Sequence, residues 1–468
     1  MVAARLNPDR KDKEMNSDEK GVRMDCDQER ALALMLSGRN VFLTGAAGTG
    51  KSLVVQEFKR LCPRRLAVLA PTGLAALNVG GVTVHRFFGL RNEVPSLAAG
   101  VLDCMDDDVW ERLAAVEVLL IDEVSMLRAD IAEVMDYRLR LAVYGRLDCE
   151  PFGGKQVIVV GDFFQLGPVV DSIPLKEYLH ARFGGAYVFN CASWKDAMFE
   201  TVELRQIHRQ RDVESLELLN AVRTGLWPLG HGGGVPMMHA IARINRLCFK
   251  FDAVPKPAAI TLGTTRELVG RINRMALQRL PANGFTFRGS VFGDFPVEDM
   301  PTDELLYVVA GERVMVLANN LGQHVNGDTG VVVGADVVAN VIFVRLDEGR
   351  EVVVKPFIWE NYECCLSHGV DGALTLERKV VGRFVQFPLS PAYALTVHKA
   401  QGKTLNAVNL ALGYTGCFAH GQLYTALSRC RSLANLTLDR PLRFEDCVVD
   451  PEVMAFHESV VRRGLGWF

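Results

Sequence analysis

No stretch of this chain approaches the roughly 18 uninterrupted apolar residues of a membrane-spanning helix, so no membrane partner is expected. Eleven cysteines are present, but none forms a C-x-x-C pair, and the adjacent Cys364 and Cys365 cannot easily share one tetrahedral ion. Structural zinc is therefore not expected, and an intracellular, reducing setting is favoured over secretion. A basic excess is also missing: 52 Lys and Arg stand against 55 Asp and Glu, a net charge of −3. Such a balance gives no bulk attraction to nucleic acid, yet a local basic groove is enough to grip a strand. Residues Met1 to Glu19 have no apolar core and include acidic groups, so they read as neither a signal peptide nor a transit peptide. A disordered tail over residues 1–22 is expected. Internal repeats and heptads are not evident.

What is there points to a multidomain globular protein. At about 100–200 residues per domain, 468 residues predict two to four domains, and 49% hydrophobic residues can supply their cores. Residues 45–52 read Gly-Ala-Ala-Gly-Thr-Gly-Lys-Ser and follow the apolar run Val41-Phe42-Leu43. This is G-x-x-x-x-G-K-[ST] leaving a strand and entering a helix, the pattern of a nucleoside-triphosphate site. Gly45, Ala46, Ala47, Gly48, Thr49 and Gly50 would wrap phosphates with backbone N–H groups. Lys51 would reach the β- and γ-phosphates, and the Ser52 hydroxyl would face magnesium.

Four short apolar runs, Val41–Leu43, Leu66–Ala70, Val118–Ile121 and Val157–Val160, lack polar alternation. They predict parallel strands covered on both faces, with functional residues at their carboxyl ends. A second α/β set begins near Ala259, with Ile260–Leu262, Val408–Leu412 and Leu436–Leu438 as strands. Between its pieces, Gly330–Val333, Val341–Leu346 and Glu351–Phe357 are β-rich, and Asp347-Glu348-Gly349 turns a hairpin. This reads as a small β-barrel inserted into the second α/β domain.

The chemistry follows the strand ends. Asp122 is placed to hold magnesium through water, and Glu123 to polarise the attacking water. Gln165, in Gly161-Asp162-Phe163-Phe164-Gln165, is placed to sense the γ-phosphate; a helix-capping turn is the alternative. Phosphoryl transfer also needs a cation at the γ-phosphate, and Arg209 and Arg429 are candidates from the second half.

The ordered motifs resemble superfamily-one helicases of the petite integration frequency (Pif) type, the B branch related to RecD-like motors. Asp25-Cys26-Asp27-Gln28 resembles the Q motif. Ala70-Pro71-Thr72-Gly73 and Gly81-Val82-Thr83-Val84-His85-Arg86-Phe87 resemble strand-contacting motifs. The segment Glu133–Val169 resembles the family's signature stretch. His208-Arg209-Gln210, Thr396-Val397-His398-Lys399-Ala400-Gln401-Gly402 and Tyr424-Thr425-Ala426-Leu427-Ser428-Arg429 complete the series over about residues 24–460. Gly167 stands where the family usually has the first of two prolines.

The resemblance implies an α/β fold of two RecA-like P-loop domains with parallel sheets, a small wedge subdomain and an inserted Src-homology-three-like β-barrel. The expected boundaries are 23–170 for the first domain, with a wedge at about 88–115. The second domain spans 171–305 and 387–468, and the barrel 306–386. By resemblance, Gln28 reads adenine, and Arg209 and Arg429 meet the γ-phosphate. Pro71, Thr72, His85, Thr396, His398, Lys399 and Gln401 contact a strand. A lone histidine such as His398 is otherwise most often a core residue. Phe87 and Phe88 read first as core, with base stacking as the alternative.

The implied activity is ATP-dependent, magnesium-requiring 5′-to-3′ movement on single-stranded DNA and unwinding of forks in replication, repair, recombination or telomere maintenance. A translocase that strips protein or RNA, and a non-catalytic nucleic-acid clamp, are the competing readings. A monomer is expected, in a nucleus, mitochondrion or bacterial cytoplasm. A preference for RNA–DNA hybrids or G-quadruplexes is left open.

Overall fold

The computed structural model describes residues 24–90, 105–170, 173–207, 213–225, 236–249, 259–280, 283–297, 300–318, 320, 323–324, 328–368 and 374–464. The expected tail and residues 91–104 of the expected wedge lie outside the described residues.

Six strands form one parallel sheet: β1 (Val41–Gly45), β2 (Leu66–Ala70), β3 (Val82–Thr83), β4 (Val118–Ile121), β5 (Gln156–Val160) and β6 (Glu200–Leu204), in the order β3-β2-β4-β5-β1-β6. Every residue of β1, β4 and β5 is buried, as continuous apolar runs require when helices cover both faces. Side-chain alternation divides the core. Val41, Leu43, Leu120, Ile158 and Val160 pack under α1 (Cys26–Leu36) and α2 (Lys51–Leu61), against Met35, Val54 and Phe58. Phe42, Leu119, Ile121 and Val159 join the opposite core, which includes residues of α6 (Ala129–Tyr144), while α3 spans Gly73–Val79. Between them lie α4 (Val84–Phe88) and α5 (Asp107–Ala115).

β6 corrects the expected boundary at residue 170. It pairs in parallel with β1 from Val41↔Glu200 to Gly45↔Leu204, so the first sheet runs to residue 204. Its sequence, Glu-Thr-Val-Glu-Leu, is that of a half-buried edge strand, which carries no long apolar run to mark it.

After α7 (Ile173–Phe183) and α8 (Ala192–Asp196), the chain adds α9 (Val213–Thr224) and α10 (Met237–Cys248). β7 (Ile260–Gly263) and α11 (Arg266–Leu277) then begin the second α/β unit. Among the described residues, ten strands are inserted before that unit resumes: β8 (Phe285–Arg288), β9 (Ser290–Gly293), β10 (Leu305–Val308), β11 (Arg313–Val316), β12 (Thr329–Asp336), β13 (Val341–Leu346), β14 (Glu351–Val354), β15 (Phe357–His368), β16 (Leu374–Gln386) and β17 (Leu389–Pro391). They form antiparallel sheets β14-β13-β12-β11-β17, β15-β16-β9 and β10-β8. The insertion therefore spans 285–391 rather than 306–386. Its outer strands pair with partners distant in sequence, which local periodicity does not register. β18 (Ala394–Thr396), β19 (Val408–Ala411) and β20 (Leu436–Leu438) complete a parallel sheet, β18-β7-β19-β20, with α12 (Gln422–Ser428) and α13 (Pro451–Gly464).

Within the expected wedge, Asp106-Asp107-Asp108 begins α5, where acidic side chains favour a helix start. Arg112 of α5 is buried, donates to the Phe87 carbonyl at 3.0 Å and lies over the Phe87 ring. Phe87 and Phe88 are core residues, packed edge to face at 5.3 Å.

Candidate active site

The carboxyl ends of β1, β4 and β5 bring the P-loop, Asp122-Glu123 and Asp162–Gln165 to one edge of the first sheet. Gly48 and Gly50 take left-handed angles, φ 89° and 87°, turning the loop so that α2 starts at Lys51. The Lys51 ammonium donates to the Gly45 and Ala46 carbonyls at 2.7 and 3.1 Å. Burial lowers its pKa against the raising charges of Asp162 and Glu123. Thr49 is buried, with its hydroxyl on the Ala46 carbonyl at 2.9 Å.

Gln28 is turned into the fold. Its Nε2 donates to the Thr49 carbonyl at 3.0 Å, and its Oε1 accepts from the Asp25 amide in a capping box at the start of α1. Gln28 thus supports the P-loop from the start of α1.

Burial, reinforced by the neighbouring Glu123, pushes the Asp122 carboxyl up to about 7. Glu123 holds a left-handed backbone, φ 51° and ψ 42°, which a non-glycine residue adopts at a cost. The buried Asp122 carboxylate and the Ser52 hydroxyl line the same cleft and make a hard-oxygen donor set that suits a divalent cation. Among the described residues there is no cluster of three or more His, Cys, Asp or Glu that would form a metal cage. The fit is to an ion that shares its shell with phosphates and water.

The second unit closes over this edge. Ser52, Asp122 and Glu123 line a cleft of about 870 Å³ with Gly402, Lys403, Thr404 and Arg431 from across it. Gln401 Nε2 donates to Glu123 Oε2 at 3.0 Å. The Tyr424 hydroxyl accepts from the Ala47 amide at 2.9 Å and donates to Asp162 Oδ2 at 3.2 Å. His420 Nε2 lies 2.8 Å from the Phe163 carbonyl, beside Gln165. Arg429 is buried, and its guanidinium donates to the Thr425 and Lys403 carbonyls and to Ser428 Oγ. Burial lowers its pKa, partly opposed by the charge of Glu123.

Asp162 and Arg223 form a fully buried ion pair at 3.0 Å. Burial alone would raise the Asp162 carboxyl, but the charges of Arg223 and Lys51 outweigh it and hold the carboxyl below its usual range. The Arg223 guanidinium also lies 4.6 Å from the centre of the Phe164 ring. Phe163 belongs to an aromatic cluster with Phe42, Phe189 and Trp194, so both phenylalanines of this turn are core.

The strand candidates divide. Pro71 and Thr72 follow β2, and the Thr72 hydroxyl accepts from the Ala75 amide. His85 lies on α4; burial, then the charge of Arg128, lowers its pKa. Thr396 Oγ1 accepts from the Lys399 amide at 3.2 Å and shapes the turn that carries His398 and Lys399. His398 is half-buried, and burial followed by the charge of Arg266 lowers its pKa, whereas Lys399 is exposed. Among the described residues of this set, Gln401 is the one whose side chain bonds Glu123. Arg209 lies outside the described residues.

Sequence reasoning missed Arg223, Tyr424, His420 and Lys403. Tyr424 stood within a quoted motif without a role. For Arg223 the only signal was indirect: a carboxylate at the end of a buried strand, Asp162, needs a nearby cation.

A P-loop protein built of two facing parallel α/β units is the class that this fold and site define. The family pattern described as PIF1-like helicase matches residues 23–224. The chain is 32% identical to the ATP-dependent DNA helicase Pif1 of Bdellovibrio bacteriovorus, over 94% of this chain and 92% of that one. It is 31% identical to the ATP-dependent DNA helicase PIF1 of Xenopus laevis, over 94% of this chain and 65% of the relative. It thus spans slightly under two thirds of the length of that curated relative. Bacteroides Pif1 solved with ADP-AlF4 superimposes with a TM-score of 0.82 at 31% identity, covering 95% of this chain and 98% of that one. A Bacteroides Pif1 bound to ssDNA superimposes with a TM-score of 0.68 at 30% identity, covering 95% of this chain and 98% of that one. The chain belongs to the PIF1-like helicase family.

Proposed function

We propose that this chain is an ATP-dependent DNA helicase that moves 5′ to 3′ on single-stranded DNA and opens forks. The observation that carries the reading is the shared cleft. Residues of the second unit hold the P-loop through Tyr424 and Glu123 through Gln401. A nucleotide held by Lys51 therefore controls how the two units sit.

In this mechanism, the P-loop amides and Lys51 bind the phosphates; Ser52 and Asp122 would hold magnesium, which would neutralise charge on the phosphate oxygens. Glu123 takes a proton from the attacking water. Gln165 reports the γ-phosphate, and Arg429 meets it from the second unit; family resemblance gives Arg209 the same role. Loss of the γ-phosphate releases these contacts. Alternating grip by Pro71, Thr72 and His85 on one unit and Thr396, His398 and Lys399 on the other then advances the strand. Neutral histidines there offer hydrogen bonds rather than charge, which suits sequence-independent contact. The 5′-to-3′ polarity, the Src-homology-three likeness of the β insertion and the wedge role of the α5 region rest on family resemblance. So do a monomeric state and a role in repair or recombination.

The test is ATP hydrolysis with and without single-stranded DNA. Turnover stimulated by the strand supports the coupled motor. Folded protein with no turnover revives the clamp reading.

A further inference from the structure

Gln401 shares its turn with the strand candidates His398 and Lys399, yet it is 7% exposed and its side chain points to Glu123. Nε2 donates to Glu123 Oε2 at 3.0 Å. Oε1 is buried and has no hydrogen-bond partner among the described residues. An ionised carboxylate only accepts, so the amide nitrogen must face Glu123 and the oxygen must be the unpaired end. The next residue reinforces the contact: Gly402 has φ +77°, and a Cβ there would lie 3.4 Å from Glu123 Oε1. A buried acceptor without a donor is rare and calls for one.

We propose that Gln401 is a further catalytic residue, whose Nε2 fixes the Glu123 carboxylate and whose Oε1 accepts a hydrogen bond from the attacking water. The inference rests on the hydrolytic reading above. In the step it serves, the water oxygen bonds to the γ-phosphorus. The bond from that phosphorus to the β–γ bridging oxygen breaks, and ADP leaves with its electron pair. One water proton passes to Glu123. The other stays on the new phosphate, and it is this hydrogen that Gln401 Oε1 receives in its hydrogen bond. Two acceptors on one water fix the direction of its lone pair, which Glu123 alone does not do.

The test uses the full chain with saturating oligo-dT, measuring kcat and KM for ATP, with oligo-dT affinity by fluorescence anisotropy. Gln401→Ala is expected to lower kcat by about 10²-fold, the scale of a lost positioning contact. KM and oligo-dT affinity should stay within about threefold, the signature of an interaction made only in the transition state. Gln401→Glu keeps the size but sets a like charge against Glu123, and it should not recover the rate. In a Glu123→Gln background, Gln401→Ala should cause no further loss. If Gln401→Ala fails to fold, Gln401→Asn, which withdraws the amide by one methylene, should show the same kcat loss. An oligo-dT affinity weakened by about tenfold or more with kcat preserved would make Gln401 a strand contact and overturn the proposal. Recovery by Gln401→Glu would overturn it as well. If the wild-type chain hydrolyses no ATP, the hydrolytic reading itself fails, which the wild-type control reports separately, and the proposal falls with it.

Discussion

Tyr424 and Asp162 meet across the two α/β units: the tyrosine hydroxyl donates to Asp162 Oδ2 at 3.2 Å while it accepts from the Ala47 amide of the P-loop at 2.9 Å. One oxygen thus joins the phosphate loop, the turn after β5 and α12. Burial, with the charge of Asp162 added, raises the Tyr424 pKa, so the hydroxyl stays protonated and can donate.

Tyr424→Phe leaves the Ala47 amide and an Asp162 oxygen without this partner. It is expected to cost about 1–3 kcal/mol, the range for stranding a buried polar group. Urea unfolding should show a lower midpoint with an unchanged slope, and KM for ATP should rise. An unchanged midpoint and KM would remove Tyr424 from the coupling.

Arg223→Met strands the buried Asp162 carboxylate and should destabilise the protein by about 3–5 kcal/mol. Adding Asp162→Asn should recover part of that loss, because the uncompensated charge is gone. A double mutant no more stable than Arg223→Met would mean that the pair contributes through packing alone.

Lys403 is 9% exposed, and among the described residues its ammonium meets the Met315 sulfur. Burial, followed by the charge of Lys399, lowers its pKa from 10.5 to about 8. Between pH 8 and 10.5 the unfolded chain keeps this proton and the folded chain does not, so folding stability rises with pH across that window. Below about 8 the cost of burying the charge is fully present, on the order of 3 kcal/mol at most. Lys403→Met should therefore melt at a higher temperature than wild type at pH 7, with the gap closing above pH 8. A gap independent of pH would place the gain in packing instead.

Much of this molecule could be read from residues alone, and the limits have physical causes. The P-loop, Asp122 and Glu123 were legible because parallel strands are continuous apolar runs and chemistry collects at their ends. β6 and the outer strands of the insertion were not, since an edge strand such as Glu200–Leu204 carries a half-polar pattern and its register is set by a distant partner. Gln401 was grouped with the strand contacts by its motif neighbours. Its side chain departs from them because a turn of only a few residues sends Lys399 to solvent and Gln401 into the cleft. Arg223 shows the remaining gap: spacing does not tell which of many arginines neutralises Asp162.

His398→Ala is expected to weaken binding of single-stranded DNA more than binding of ATP, because His398 sits on the turn after β18 beside the exposed Lys399 rather than on the P-loop. Anisotropy with labelled oligo-dT and with a fluorescent ATP analogue separates the two. Normal DNA affinity with damaged nucleotide affinity would reverse the assignment.

The proposed 5′-to-3′ motor is tested most directly by ATP-dependent strand displacement from matched duplexes carrying a 5′ or a 3′ single-stranded tail, with Lys51→Ala as the control. Displacement is expected of the 5′-tailed duplex only, with none by Lys51→Ala, which should stay folded. Displacement from the 3′ tail, or displacement that survives Lys51→Ala, would contradict it.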